Sequence, residues 1–435
     1  MNTSETATPS TGEVPQVLER LFRHESARIV VTLTRIFGAE HLTLAEDVVQ
    51  EALARALQTW PFYGLPKNPA AWIMQTARNL ALDVVRRQKV FRDKEAEIAA
   101  LIESPAAGPA SAAIFPEQDL ADDRLRLMFV CCHPSVPADA QAALALKTLC
   151  GFSVGEIAQA FLTTEAAMAK RLTRAKQKIR DERVAFDIPS GAELGRRLQA
   201  VLDTLYLLFN EGYKASAGDK LVRAEVCSEA IRLTTLLSEH PAGNQPRTHA
   251  LLALMLLNAA RLRSRVDGHG HLLLLKRQDR SLWDPAMLAR GMFHLTRSAA
   301  GDSLSEFHLQ AGIAACHCAS PDYAATDWPR ILALYNQWTA LTDSPVVALN
   351  RAIIIGEMEG PRAGLAAIAS IRHREKLDGY HLYYAALGEF ESQLNDPLAA
   401  AGYFRKSLQL AETTSERQFL TDRFRACQAQ LPAVA

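Results

Sequence analysis

Hydrophobic residues in the first part of the chain recur at steps of three and four, the period of helices with one buried face. Three such stripes cover residues 17–37, 44–57 and about 69–88. Gly38 follows the first stripe, and glycine is common where helices end. The pattern therefore predicts a small helical bundle over residues 14–90.

The start of the second stripe has the pattern of a helix N-terminus. Thr43 precedes the apolar positions and Glu46 follows it by three residues, as in a capping box. We therefore interpret Thr43 as the N-cap of this helix. Pro61, Gly64 and Pro66 lie beyond the stripe and predict its end.

A second helical module follows a segment that has no apolar period. From about residue 99 to residue 116 the chain is rich in Ala, Gly, Pro and Ser, and we interpret residues 91–118 as a flexible linker. Helical periodicity returns over residues 119–186, where Ser153 and Glu156 form another capping-box pattern. A short turn at residues 162–164 then separates two helices, which predicts a helix-turn-helix.

The second helix of this motif, from Glu165 to about Glu182, has an apolar side and a basic side. The apolar positions predicted to face inward are Met168, Leu172, Ala175 and Ile179. The basic positions that share another side are Lys170, Arg171, Arg174 and Lys178. Arginine can pair with guanine edges in the major groove and lysine attracts phosphates. A solvated charged helix is the alternative, but the capped helix and tight turn before it favour DNA binding.

Residues 190–435 consist of alanine- and leucine-rich helical segments with short polar breaks. Near the end, the spacing of Tyr384, Gly388 and Phe404 is similar to that of a tetratricopeptide repeat, and residues 346–367 nearly repeat it. Because one such unit cannot bury its own apolar face, we predict a helical repeat-like array. The fold class predicted for the whole chain is all-α.

The composition is that of a folded globular protein. The chain of 435 residues is 49% hydrophobic and 22% charged, and its 48 basic residues balance 48 acidic ones. The net charge of the whole chain thus predicts no nucleic-acid or membrane partner. The excess of positive charge is confined to the second helix of the helix-turn-helix. Seven cysteines without a C-x-x-C pair, and a longest apolar run of only residues 251–257, favour a cytoplasmic protein without membrane contact.

The sequence has none of the patterns that catalysis would require. It contains no glycine-rich phosphate-binding loop and no nucleophile elbow. Cys316, His317 and Cys318 are candidate metal ligands, but adjacent residues of a helix point in different directions, so we interpret the thiols as buried. We predict neither enzymatic activity nor a bound metal or cofactor.

Aromatic residues of the first module lie near cationic ones, a combination suited to stacking of unpaired bases. The aromatic residues are Trp60, Phe62, Tyr63 and Trp72, and basic residues are frequent over 78–89. Aromatic residues at turns also serve as core residues, and this alternative stays open at this point.

Three stretches resemble conserved regions of the extracytoplasmic-function (ECF) sigma factors of bacterial RNA polymerase. Two of these stretches resemble region two: residues 45–60, AEDVVQEALARALQTW, and residues 70–88, AAWIMQTARNLALDVVRRQ. The third stretch, residues 151–180, resembles region four and reads GFSVGEIAQAFLTTEAAMAKRLTRAKQKIR. The two regions occur in the family's order, with the linker between them. Where the family usually has glycine in the helix-turn-helix turn, this chain has Leu162.

The resemblance implies two partners, core RNA polymerase and promoter DNA in both duplex and melted form. It implies polymerase contacts by Asp47, Gln50 and Glu51. It implies contacts with the melted minus-ten element by Trp72, Asn79, Asp83, Arg86 and Arg87. It matches Arg171 and Arg174 to the family's recognition-helix positions at the minus-thirty-five duplex. We expect further contacts with this duplex by neighbouring residues of the same helix and its N-terminus, Thr164, Glu165, Lys170 and Lys178.

The long C-terminal part is absent from a minimal ECF factor and resembles the extension of certain subgroups. We expect it to be a regulatory domain over residues 190–435 that binds a regulatory protein or a ligand. Two other functions stay open from the sequence. One is a helix-turn-helix regulator that acts without polymerase and carries a helical sensor domain, and the other is a scaffold whose concave face binds a peptide.

Overall fold

The computed structural model describes residues 26–87, 117–161, 163–213, 224–267, 273–411 and 413–431. Throughout these residues the regular structure is helical and no β-strand is present. The prediction of an all-α protein is therefore confirmed. The part of the linker at residues 91–116, the turn residue Leu162 and the side chains of Arg86 and Arg87 lie outside what the structure describes.

The chain divides into two compact units, Met1–Leu207 and Leu208–Ala435. The helices of the N-terminal unit are α1 (26–37), α2 (Leu42–Tyr63), α3 (Pro69–Arg87), α4 (Glu117–Cys131), α5 (Ala138–Leu149), α6 (Val154–Ala160), α7 (Glu165–Asp181) and most of α8 (Gly191–Tyr213). The division between units falls inside α8, whereas the sequence places the start of the array at residue 190. Helix α4 begins at Glu117, inside the stretch 91–118 that the sequence assigns to the linker.

Helices α1 to α3 form the predicted bundle, but α2 begins differently from the prediction. Helix α1 ends at Gly38, which has φ 91° and donates its N–H to the carbonyl oxygen of Thr34 at 2.9 Å. A single 3-10 turn, Ala39–His41, leads directly into Leu42. Thr43 is therefore already inside α2, and the predicted capping box with Glu46 is wrong. The carboxylate of Glu46 is buried instead.

The predicted helix-turn-helix is present in helices α6 and α7. Ser153 and Glu156 form the predicted capping box at the start of α6, with Glu156 N–H donating to Ser153 Oγ at 3.1 Å. Thr164 caps α7 by accepting the N–H of Ala167 at 3.2 Å. Two side-chain caps on consecutive helices fix where each begins, since each satisfies amide groups that the helix itself leaves unpaired.

The C-terminal unit consists of helices that pack mostly on their neighbours in the chain. They are α9 (Ala224–Glu239), α10 (Pro246–Ala259), α11 (Pro285–Ser298), α12 (Glu306–Ala319), α13 (Trp328–Leu341), α14 (Pro345–Glu359), α15 (Pro361–Ala369), α16 (His381–Gln393), α17 (Pro397–Leu410) and α18 (Thr414–Gln428). The two repeat-like sequence units form the helix pairs α14–α15 and α16–α17. Packing between sequential neighbours is the arrangement expected of a repeat array.

Within the described residues, we find no helix with the length and apolar character needed to cross a membrane.

Candidate nucleic-acid interface

Helix α7 separates its packing side from its basic side. Met168, Leu172, Ala175 and Ile179 are all buried, as predicted. At about 100° per residue, the four predicted DNA-contacting cations lie within an arc of about 100° on another side of the helix. Lys170, Arg174 and Lys178 are exposed, and Arg171 is half-buried. The structure therefore brings these four predicted residues together on one face.

Arg171 is the one cation of this face with an ion-pair partner in the described residues. Its Nε lies 3.4 Å from Asp139 Oδ2, at the start of α5, and the aspartate is largely exposed. An exposed ion pair of this kind is worth little in free energy, so a phosphate or base could replace the carboxylate. Thr164 and Glu165 are exposed at the N-terminus of the same helix. The hydroxyl of Thr164 has a structural role as the helix cap.

The three residues expected to bind polymerase lie on the exposed side of α2. Asp47, Gln50 and Glu51 are all exposed. Glu51 Oε1 accepts from Arg55 Nε at 3.0 Å, one turn further along the helix. Both side chains of this ion pair are exposed, and such pairs contribute little free energy. The acidic surface therefore stays available to a basic partner.

Helix α3 carries the residues expected at the melted strand. Asn79 and Asp83 are exposed, and the amide oxygen of Asn79 accepts from Gln75 Nε2 at 3.0 Å. Trp72 is half-buried because its ring packs edge-on against Trp60 at a centroid distance of 5.5 Å. Arg86 and Arg87 belong to the last turn of α3.

The aromatic set of the first module divides into core and surface residues. Trp60 is only 2% exposed and is a core residue, so the core alternative is correct for this position. Phe62 and Tyr63, at the end of α2, are 85% and 88% exposed. Exposed aromatic rings of this size are free to stack on bases. Apolar periodicity could not separate these positions, since it predicted the end of α2 before them.

The structure also shows a buried contact that sequence analysis missed. Lys176 of α7 donates its Nζ to Glu46 Oε2 of α2, and both side chains are mostly buried. Lys176 lies on the flank of α7 opposite the basic face, at about 80° from Met168 on a helical projection. No local sequence signal identifies this contact, because its partners are 130 residues apart.

The cysteines of the N-terminal unit, Cys131, Cys132 and Cys150, are buried. Burial raises the pKa of Cys132 to about 12 and also raises the pKa of Cys131. A thiol with so high a pKa is neither a nucleophile nor a metal ligand at neutral pH. Among the described residues no cluster of histidine, cysteine and carboxylate side chains is arranged to hold a metal ion.

The C-terminal unit contains a mostly apolar cavity of about 390 Å³. Ile353, Phe390, Trp328 and Tyr323 contribute to its wall, together with the carboxylate of Glu357. His317 also lines it, and burial together with the charges of Arg261 and Arg280 lowers its pKa to about 4. The imidazole is therefore neutral at physiological pH. Pockets of this size and apolar character commonly bind small molecules.

Comparisons with known protein families match three segments of the chain. The model for sigma-70 region 2 matches residues 21–90, and the model for sigma-70 region 4 matches residues 126–179. A family of unknown function, DUF6596, matches residues 197–299. The first two matches coincide with the helical bundle and with the helix-turn-helix module.

The relatives of this chain include an uncharacterised protein and two proteins described as RNA polymerase sigma factors. A Rhizobium meliloti protein described as uncharacterised is 38% identical over 393 residues, which are 87% of this chain and 89% of the relative. The probable RNA polymerase sigma factor RfaY of Xanthomonas campestris is 31% identical over 35% of this chain and 36% of its own length. The ECF RNA polymerase sigma factor SigE of Mycolicibacterium smegmatis is 29% identical over 38% of this chain and 60% of its own length. No solved structure matches the chain significantly.

These matches, together with a capped helix-turn-helix and a region-two bundle, define a transcription initiation protein. The chain belongs to the ECF type of sigma-70 factor and carries a C-terminal extension that includes the DUF6596 segment. It is a sigma factor that directs transcription to promoters. Sigma factor families bind core RNA polymerase and promoter DNA and are not enzymes. Nothing in the comparisons favours a regulator that acts without polymerase.

Proposed function

We propose that three surfaces of the N-terminal unit each bind a different partner during transcription initiation. Asp47, Gln50 and Glu51 on α2 bind core RNA polymerase in the cytoplasm. Trp72, Asn79 and Asp83 on α3, with Arg86 and Arg87, bind the melted minus-ten strand. The N-terminus and basic face of α7 bind the minus-thirty-five duplex through Thr164, Glu165, Lys170, Arg171, Arg174 and Lys178.

The observation that carries this proposal is the separation of packing and basic faces on α7. Because the apolar side is buried, the cations on the other side can face a DNA groove without disturbing the core. Phe62 and Tyr63 add exposed aromatic surface beside α3, and we propose that they stack on unpaired bases.

Substitution of Arg174 tests the DNA-contacting face. Arg174→Ala is expected to cost about 1–3 kcal/mol of discrimination between a cognate promoter and one altered in its minus-thirty-five element. The measurement is run-off transcription with purified core polymerase on both templates. Arg180→Ala is the matched control, since Arg180 is an exposed cation on the opposite flank of the same helix. Equal losses in both variants would contradict the assignment of the face.

We also propose that the C-terminal unit is a regulatory domain. Its cavity supports this role, since a mostly apolar wall with two acidic residues, Glu357 and Glu389, suits a small ligand or the side chains of a partner protein. The cavity lies wholly among residues 274–419, outside the helices that carry the three proposed initiation surfaces.

A further inference from the structure

Helix α14 presents a row of side chains to the cavity of the C-terminal unit. Asn350, Ile353 and Glu357 all line the cavity, and they follow one another at steps of three and four residues. Residues at this spacing lie on a single face of a helix, about one turn apart. The cavity wall therefore changes from polar to apolar to acidic along α14, and the carboxylate of Glu357 lies near the end of that helix.

The two carboxylates of the wall differ in how their charges are compensated. Arg423 donates to Oε2 of Glu389 and forms an ion pair with it. Within the part of the chain that the structure describes, Glu357 has no ion-pair partner. Lys276 also lines the cavity, but its side chain is exposed to solvent. The negative charge at Glu357 is therefore left for another cation to compensate.

The end of α14 strengthens this negative charge. Glu357 lies in the last turn of the helix, which contains no basic residue. The carbonyl groups at a helix C-terminus carry partial negative charge, which stabilises cations and destabilises anions nearby. The helix terminus and the carboxylate thus act in the same direction on any charged group that enters this part of the cavity.

Two aromatic rings lie at the same end of the cavity. Tyr323 and Trp328 line it, and their rings meet edge to face with centroids 5.0 Å apart. Burial raises the pKa of Tyr323, and the nearby charge of Glu357 raises it further, so the phenol is neutral and close to the carboxylate. The faces of aromatic rings carry partial negative charge and attract cations. A carboxylate beside two such rings is an environment that favours a cation with an apolar body.

The positive groups behind the cavity wall are neutral or bound elsewhere. His317 lines the cavity, but its pKa of about 4 leaves the imidazole uncharged at neutral pH. Arg280 donates to the carbonyl oxygens of His317 and Ser320 at the end of α12, where the helix terminus offsets its charge. These groups therefore do not outweigh the local attraction of Glu357 for a cation.

We propose that the cavity binds a small organic amine, whose ammonium group pairs with Glu357 and whose apolar body packs against Trp328 and Tyr323. This inference rests on the proposed regulatory role of the C-terminal unit, to which it adds the chemical class of the ligand. An ammonium group gains a charge-assisted hydrogen bond and contact with the ring faces. A neutral molecule of the same shape gains only apolar burial, and an anion is repelled by Glu357.

Three probes of matched shape test this preference in the full-length wild-type chain. At neutral pH phenylpropylamine is a cation, phenylpropanol is neutral and phenylpropionate is an anion. Titration calorimetry is expected to show the amine binding at least about tenfold more tightly than the alcohol, because hydrogen bonds to charged groups are the stronger ones. The anion is expected to bind most weakly. Equal affinities for the three probes, or tightest binding of phenylpropionate, would overturn the proposal.

Substitution of the carboxylate tests which residue selects the cation. Glu357→Gln is expected to weaken binding of phenylpropylamine about tenfold and to leave the affinity for phenylpropanol unchanged. Glu359→Gln is the matched control, since Glu359 is exposed in the same last turn of α14 and does not line the cavity. It is expected to bind all three probes as the wild type does. A preference for the amine that survives Glu357→Gln, or one that Glu359→Gln abolishes equally, would contradict the assignment.

Run-off transcription by the same full-length chain distinguishes this inference from the proposed function. Transcription that responds to cell extract, in a chain that does not prefer the amine over the alcohol, would overturn the ligand class and leave the regulatory role intact. Selective binding of phenylpropylamine, with identical transcription at zero and saturating amine, would contradict a regulatory role for the cavity. The assignment of an amine site would stand in that case.

Discussion

Neighbouring acidic residues of α2 have opposite surroundings. Glu46 is buried against Lys176, whereas Asp47 is exposed to solvent. A helix turns by about 100° per residue, so adjacent side chains face different partners. The acidic cluster at the start of α2 therefore contains one residue that joins modules and others that are available to a second protein.

A charge reversal at Asp47 tests the polymerase surface. Asp47→Arg is expected to reduce retention of the protein on immobilised core polymerase at least tenfold, because like charges oppose each other at an interface. The helix content and melting temperature are expected to stay near those of the wild type, since the position is exposed.

Asp187→Arg provides the control for this change. Asp187 is also exposed and belongs to the same unit, but it lies outside α2. Comparable loss of polymerase binding in both variants would show that overall charge, and not the α2 surface, determines retention.

Helix pairs of the C-terminal unit depend on small residues at close approaches. A Cβ atom at Gly356 would lie 2.3 Å from Phe390 Cζ, and one at Gly364 would lie 2.6 Å from the same atom. The tip of the Phe390 ring therefore occupies space left by two glycines, one on α14 and one on α15. Gly388 has a similar relation to Phe404, with a closest distance of 3.0 Å.

Two glycine substitutions distinguish the effect of close packing on stability from the effect of helix propensity. Gly356→Ala is expected to destabilise the C-terminal unit by about 1–3 kcal/mol, because the added methyl group displaces the Phe390 ring. Gly402→Ala is expected to stabilise it by about 0.5–1 kcal/mol, because α17 gains propensity and no atom lies within 4 Å of the new Cβ. Urea unfolding of the two full-length variants compares them, and shifts of the same sign would refute the packing argument.

Helix α8 shows that the two units are not separated at the boundary suggested by sequence. Arg197 is 5% exposed and donates to the carbonyl oxygen of Phe129 at 2.6 Å, and Thr204 contacts Gln141. Leu198 and its apolar neighbours further along the helix are also buried. The first part of α8 therefore completes the core of the N-terminal unit.

The position of a truncation should consequently decide its outcome. A chain ending at residue 213 keeps α8, and it is expected to melt near the temperature of the N-terminal unit in the full protein. A chain ending at residue 190 loses the Arg197 contact and several buried apolar side chains, and it is expected to be less stable by at least about 3 kcal/mol. Calorimetry of the two truncated chains measures the difference, and equal stability would contradict the role of α8.

The longer truncated chain also tests regulation by the C-terminal domain. Its run-off transcription with core polymerase is expected to differ from that of the full chain under the same conditions. Identical transcription with and without residues 214–435, also in the presence of cell extract, would contradict a regulatory role for this domain.

Much of the fold follows from local pattern. The buried face of α7, the capping box at Ser153 and the end of α1 at Gly38 depend on residues within one or two helical turns. The predicted cap at Thr43 was wrong because a 3-10 turn before it had already begun the helix. The core position of Trp60 and the exposure of Phe62 were undecided by sequence, since both lie beyond the apolar stripe of residues 44–57.

The sequence by itself determined the helices, the separation of apolar and basic sides and the resemblance to regions two and four, because these depend on short-range periodicity and motif spacing. Only the tertiary structure decided that Glu46 meets Lys176, that Arg197 reaches Phe129 and that a cavity forms beside Trp328. Those contacts join residues far apart in the chain, and no local pattern specifies which distant partner a buried charge or ring will meet.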